Sequence, residues 1–182
     1  MREELKDLSG YRLYGLREGD FEYTIRLTQE FINTRKQIFQ QGAAFIEKEL
    51  PREADDILDD IGYYTGIDCL YLWHFCLWTL QGILEGMIQE SFLPSRSTQP
   101  LRGIKAKLDA MKEAGYTIEQ VDYDELLEWA KLRNVLSHFP LEQYRPGPLR
   151  EEDIIEYKEL LEKVCRKWRE QQPQICESNL SG

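Results

Sequence analysis

Residues 127 to 140, LEWAKLRNVLSHFP, gather Arg133, Asn134, Ser137 and His138 into six positions. Arginine offers a permanent charge in a planar fork of donors that matches phosphate or carboxylate oxygens. Histidine gives and takes a proton near neutral pH. At about 100° per residue, Trp129, Leu132, Val135, Leu136 and Phe139 share one stripe, and the four polar residues fall within an arc of about 140° opposite it. Pro140 disfavours the α conformation at Phe139, so the helix is predicted to end near His138. There the negative end of the helix dipole favours the imidazolium, and Arg133 one turn back opposes it. That balance would leave His138 titrating near neutrality, where a general acid or base is most effective. A structural role would use the same two residues to cap carbonyls or to pair with Glu128 or Glu142.

The charge around this helix differs from that of the whole chain. Lys131, Arg133, Arg145 and Arg150 face a single acid, Glu142, between positions 131 and 150, whereas the 182-residue chain carries a formal net charge of -10. A uniformly acidic surface repels nucleic acid and anionic membranes, so a phosphate site is expected only at such a local basic patch. Lys131, Arg145, Arg150 and Ser137 are candidate RNA contacts there. Met1 leads into REELKD with no apolar run behind it, so no secretory signal is expected. The most apolar stretch, residues 69 to 88, contains His74, Gln81 and Glu85 and reads as a buried core helix rather than a membrane span. A cytoplasmic protein with reduced cysteines is the expectation.

The elements that must position this site are helical throughout. Phe21, Ile25, Phe31, Ile32, Ile38, Phe39, Phe45 and Ile46 mark a long helix from about Asp20 to Leu50, before Pro51. READDILDDIGYYTG predicts a short acidic helix with a glycine-marked break, followed by the apolar helix from about 67 to 90. LRGIKAKLDAMKEAG is amphipathic and stops at Gly115; its Lys105 and Lys107 read as a solvated face, with an extension of a phosphate track as the alternative. The helix carrying Arg133 is predicted to start with Asp122 or Asp124 as N-cap. Acids first and bases last mark a final helix from Glu151, as the macrodipole favours. The expected organisation is an arm over 1–19, one bundle domain over 20–172 and a tail over 173–182. Short connections make this an all-α, antiparallel up-and-down bundle of four to five helices.

Metal and cofactor chemistry find no support in the spacing. Cys69, His74 and Cys76 do not share a helix face, and no further close ligand completes a tetrahedron. No glycine-rich phosphate loop or nucleophile elbow occurs, so neither a metal nor a cofactor is expected. His74, inside LWHFCLW, reads as a core histidine. Glu85, four residues after Gln81, reads either as a helix edge reaching solvent or as an orienter of Arg133.

Arg133, the four residues NVLS and His138 form the R-x4-H pattern of the HEPN superfamily, and Asn134 after the arginine is a common form of it. The penultimate long helix of an all-helical chain is the matching setting, and LQGILEGMIQESFL resembles the central helices of such domains. The architectural resemblance covers about residues 20 to 170; the motif covers about a dozen. It implies an endoribonuclease that needs no metal and acts as a homodimer on RNA, with Arg133 and His138 as catalytic pair and Asn134 as accessory group. A toxin or defence role is implied with it, and an antitoxin protein is left open as a partner. Some toxins of this superfamily carry a tyrosine two residues after the histidine, which their antitoxin modifies. Pro140 stands there in this chain and Tyr144 does not match, so that regulation is not implied. A non-catalytic HEPN-fold module that binds nucleotide, RNA or protein is the rival expectation.

Overall fold

The computed structural model describes residues 17–94, 101–138 and 148–180, with His138 and residues 173–180 placed by backbone alone. Five α-helices make up the described chain: α1 (Gly19–Glu49), α2 (Ala54–Met87), α3 (Gly103–Glu113), α4 (Gln120–His138) and α5 (Glu151–Leu180). The fold is all-α, as the periodicity predicts, with no strand among the described residues.

Apolar spacing on each helix decides what packs. Phe21, Ile25 and Ile32 turn inward from the first half of α1. Leu77, Leu80, Leu84 and Met87 come from the second half of α2, and Ile154, Leu161, Val164 and Trp168 from α5. Leu108 and Met111 of α3 and Leu126 of α4 close the core. His74 is buried among these residues, and burial lowers the pKa of its ring, so it is a core histidine.

Polar links on the rim give the directions. Gln29 donates to Glu151 at 2.6 Å, while Arg169 meets Glu18 at 3.2 Å, so α5 runs antiparallel to α1. Trp129 stacks on Tyr157 and Lys167 reaches Asp122 at 2.9 Å, so α4 runs antiparallel to α5. The four long helices therefore alternate in direction, and short α3 braces α2 against α4. Its end is a Schellman cap: Gly115, at φ 98, donates to the Lys112 carbonyl and Tyr116 to that of Met111.

The break predicted near Gly62 and Gly66 does not occur; α2 is one helix of 34 residues. Packing on α1 offsets the roughly 1 kcal/mol that a helical glycine costs; the Phe39 ring lies 3.7 Å from where a Cβ on Gly62 would stand, an ordinary contact. The helix then ends in a π turn, Ile88–Phe92, closed by the Leu93 N–H on the Ile88 carbonyl at 2.8 Å. The backbone of α5 is helical through Pro173 to Leu180, although proline there removes one backbone donor. Most of the arm expected over 1–19, and residues 95–100 and 139–147, lie outside the described residues. No described helix is long and apolar enough to cross a membrane.

Asp122 is not an N-cap but a buried anchor in the first turn of α4, its side chain 3% exposed. Burial alone would raise its carboxyl, but hydrogen bonds from Lys163 and Lys167 outweigh that and hold the pKa below the ordinary value. A depressed folded pKa adds stability above the unfolded pKa of about 3.9, and that stability is lost as pH falls through the folded value. Urea denaturation of Asp122→Asn should therefore show a deficit against wild type at pH 7 that shrinks below about pH 4. An equal deficit at both pH values would mean the carboxylate charge is not what stabilises this joint.

Candidate functional site

Helix α4 carries the motif, and one aromatic contact orients it. The Trp129 ring lies on the buried Tyr157 ring of α5 at 4.7 Å between centroids and 28° between planes. Arg133 follows Trp129 by one turn, which brings it to the same tyrosine. The Tyr157 phenol is held well above its ordinary range, first by burial, then by the negative charge of Glu85; the Arg133 guanidinium works in the opposite direction. Glu85 of α2 and Arg133 of α4 thus both act on one buried hydroxyl.

Both carboxylate oxygens of Glu85 are engaged. Gln81, 3% exposed, donates to one at 2.9 Å, and Lys107 of α3 donates to the other at 2.7 Å. The Lys107 and Glu85 side chains are only 12% and 19% exposed. This corrects the reading of Lys107 as a solvated-face lysine; Lys105, bound to Asp109 at the surface, keeps that reading. Among the described residues Glu85 is neither a solvent-reaching edge nor a hydrogen-bonded partner of Arg133; it is an acid ion-paired with Lys107.

The guanidinium itself is only partly satisfied. Its Nη1 donates to the Asn134 side-chain oxygen at 3.1 Å. Its Nε is buried and has no acceptor among the described residues, and the Gln81 side-chain oxygen is likewise buried without a donor. A buried donor left unmade costs about 1–3 kcal/mol. An anionic oxygen meets this donor only if the side chain moves to expose it. Ser137, half-buried, donates instead to the Arg133 carbonyl at 2.8 Å and stiffens the last turns of α4.

The remaining candidates are placed unevenly. His138 is the last described residue of α4, five positions beyond Arg133, and its side chain lies outside the described residues. Asn134 is exposed beside Arg133. Lys131 is paired with Glu128 on the surface rather than with the site. Arg150 is exposed at the start of α5, its N–H donating to Asp153 at 2.7 Å. Arg145 falls outside the described residues. Among the described residues no hydrogen bond or ion pair joins Lys131 or Arg150 to Arg133. Arg133 is tied to Asn134 by a hydrogen bond and to Tyr157 by its charge, which acts there against that of Glu85. Around Glu85, Gln81 and Lys107 were singled out in the sequence, the first in an apolar run and the second on a helix face, whereas Tyr157 was not. Among the described residues no group of three His, Cys, Asp or Glu could hold a metal ion.

No family model, curated protein or solved structure matches this chain.

Removing one partner of a buried ion pair leaves the other charge uncompensated, at about 3–5 kcal/mol. Glu85→Gln should lower the urea-derived stability by about that amount, and Glu85→Gln combined with Lys107→Met should recover most of it. Additive losses in the double variant would show that the two side chains do not act as a pair.

Proposed function

We propose that this chain is a metal-independent endoribonuclease of the HEPN type, acting as a homodimer in a toxin or defence role. The observation that carries the reading is Arg133: a half-buried guanidinium on the motif helix, held by Asn134, with a buried Nε–H that lacks an acceptor among the described residues. A phosphate oxygen is the acceptor that donor fits.

Cleavage by the RNA's own 2′-OH needs a base for the hydroxyl proton, an acid for the leaving 5′-oxygen and a cation for the phosphorane charge. The 2′-oxygen bonds to phosphorus as the bond to the 5′-oxygen breaks, leaving a 2′,3′-cyclic phosphate and a 5′-OH. One chain supplies one His138 and one Arg133. A two-fold axis that sets two α4 ends face to face supplies the second of each, so that one histidine accepts a proton while its copy donates one. Asn134 and Ser137 hold the motif in shape. Lys131, Arg145 and Arg150 are left as contacts to RNA beyond the scissile phosphate.

A second reading, a non-catalytic module of the same fold that binds nucleotide, RNA or protein, is favoured by the net charge of -10. The two readings part on one assay. End-labelled RNAs incubated in EDTA should be cut by the wild type to 2′,3′-cyclic phosphate ends. His138→Ala should slow this at least about 100-fold, and Arg133→Ala by a similar factor, with helicity and mass unchanged. Arg133→Lys should not restore the rate, because lysine lacks the fork. A folded wild type that cuts none of a diverse RNA set but binds them through Arg133 would move the function to the binding module.

A further inference from the structure

The eight apolar residues predicted to line one face of α1 do not all go inward. Phe21, Ile25 and Ile32 are buried, but Phe31, Ile38 and Phe45 are 56%, 54% and 64% exposed. Between Ile32 and Thr65 the only buried residue is Ala54. The later half of α1 and the earlier half of α2 therefore form a two-helix arm outside the core. Where this arm meets the core runs a groove of about 680 Å³, lined by Phe31 and Ile38 of α1 and by Tyr71 and Phe75 of α2, with the Arg35–Asp68 ion pair within it. Phe31, Ile38 and Phe45 repeat at seven-residue intervals, the spacing of a helix that lies against another helix.

We propose that this face seats a second copy of the same chain, laid across a two-fold axis so that α1 of each protomer packs over α2 of the other. Charge favours that occupant. Between Phe31 and Ile46 the only charged residues of α1 are Lys36 and Arg35, the latter held by Asp68 of its own chain, whereas α2 carries five aspartates between 54 and 75, four of them besides Asp68, and no lysine or arginine. The axis brings the cationic helix of each copy onto the anionic helix of its partner, as an isologous interface requires. Area agrees as well. The exposed parts of Phe31, Ile38, Phe45, Tyr71 and Phe75 amount to on the order of 500 Å², at the upper end for a monomer's largest patch. With their polar rim they approach the roughly 800 Å² per partner of a standard interface. The product is four antiparallel helices around a closed seam, a stable packing that a lone pair of helices does not provide.

This interface does not depend on the ribonuclease reading, because α4 makes no contact with α1 among the described residues. A chain using both this face and a two-fold contact at α4 assembles as a tetramer, and one using this face alone assembles as a dimer. In either case, sedimentation of the full chain should show Phe31→Glu/Phe75→Glu at half the wild-type mass, with helicity and melting temperature retained. Ile38→Ser should weaken the assembly in the same direction. Phe31→Leu/Phe75→Leu should keep the wild-type mass. A monomeric wild type, or a Phe31→Glu/Phe75→Glu protein of unchanged mass, overturns the proposal and gives the face to a different protein.

Discussion

An acid inside an apolar helix is the constraint around which the rest of this molecule is arranged. Glu85 sits among Leu80, Ile83, Leu84, Met87 and Ile88 on the most hydrophobic element of the chain. Burying its charge alone would cost several kcal/mol. Gln81 from the same helix and Lys107 from α3 satisfy both oxygens, which fixes α3 against α2. Tyr157 and Arg133 then bring α5 and α4 into the same electrostatic neighbourhood. Four of the five helices thus meet at one polar layer, and the motif arginine stands at its edge.

That layer explains how a chain of net charge -10 can present an attractive place for an anion. Glu85, whose charge reaches the same tyrosine as that of Arg133, is already paired with Lys107. The arginine's charge is consequently available, and its position is set by Asn134, by the Trp129–Tyr157 stack and by the Ser137 bond to its carbonyl. The surface lysine at 131 adds little, since Glu128 holds it. Local charge at this site is governed by which acids are consumed in ion pairs, and less by the count of bases along the sequence.

Helical periodicity made the class of fold, α1, α3 and part of the inward stripe of α4 (Trp129, Leu132 and Leu136, but not Val135) legible without a structure. What it missed follows from physics that acts across helices. Gly62 and Gly66 look like a break because glycine is a weak helix former, yet packing against Phe39 and the rest of α1 keeps α2 continuous. Phe31, Ile38 and Phe45 look like core because they are apolar at helical spacing, and only the extent of the bundle shows that they lie beyond it. Lys107 looks solvated until the acid it meets on α2 is known. Arg133 and His138 were legible as types and spacing; the burial of Arg133 beside Tyr157 was not, because Tyr157 lies on another helix.

The central claim is that Arg133 is clamped by its surroundings with its Nε–H turned into a buried position. Side-chain nitrogen NMR of the full chain reads this directly, with Arg133→Lys used to assign the signal. A clamped guanidinium gives a resolved Nε–H resonance that exchanges slowly with water and shifts when inorganic phosphate is added. An Arg133 signal at the position of a free arginine, exchanging fast and unmoved by phosphate, would contradict the claim and leave the motif as a solvated helix end.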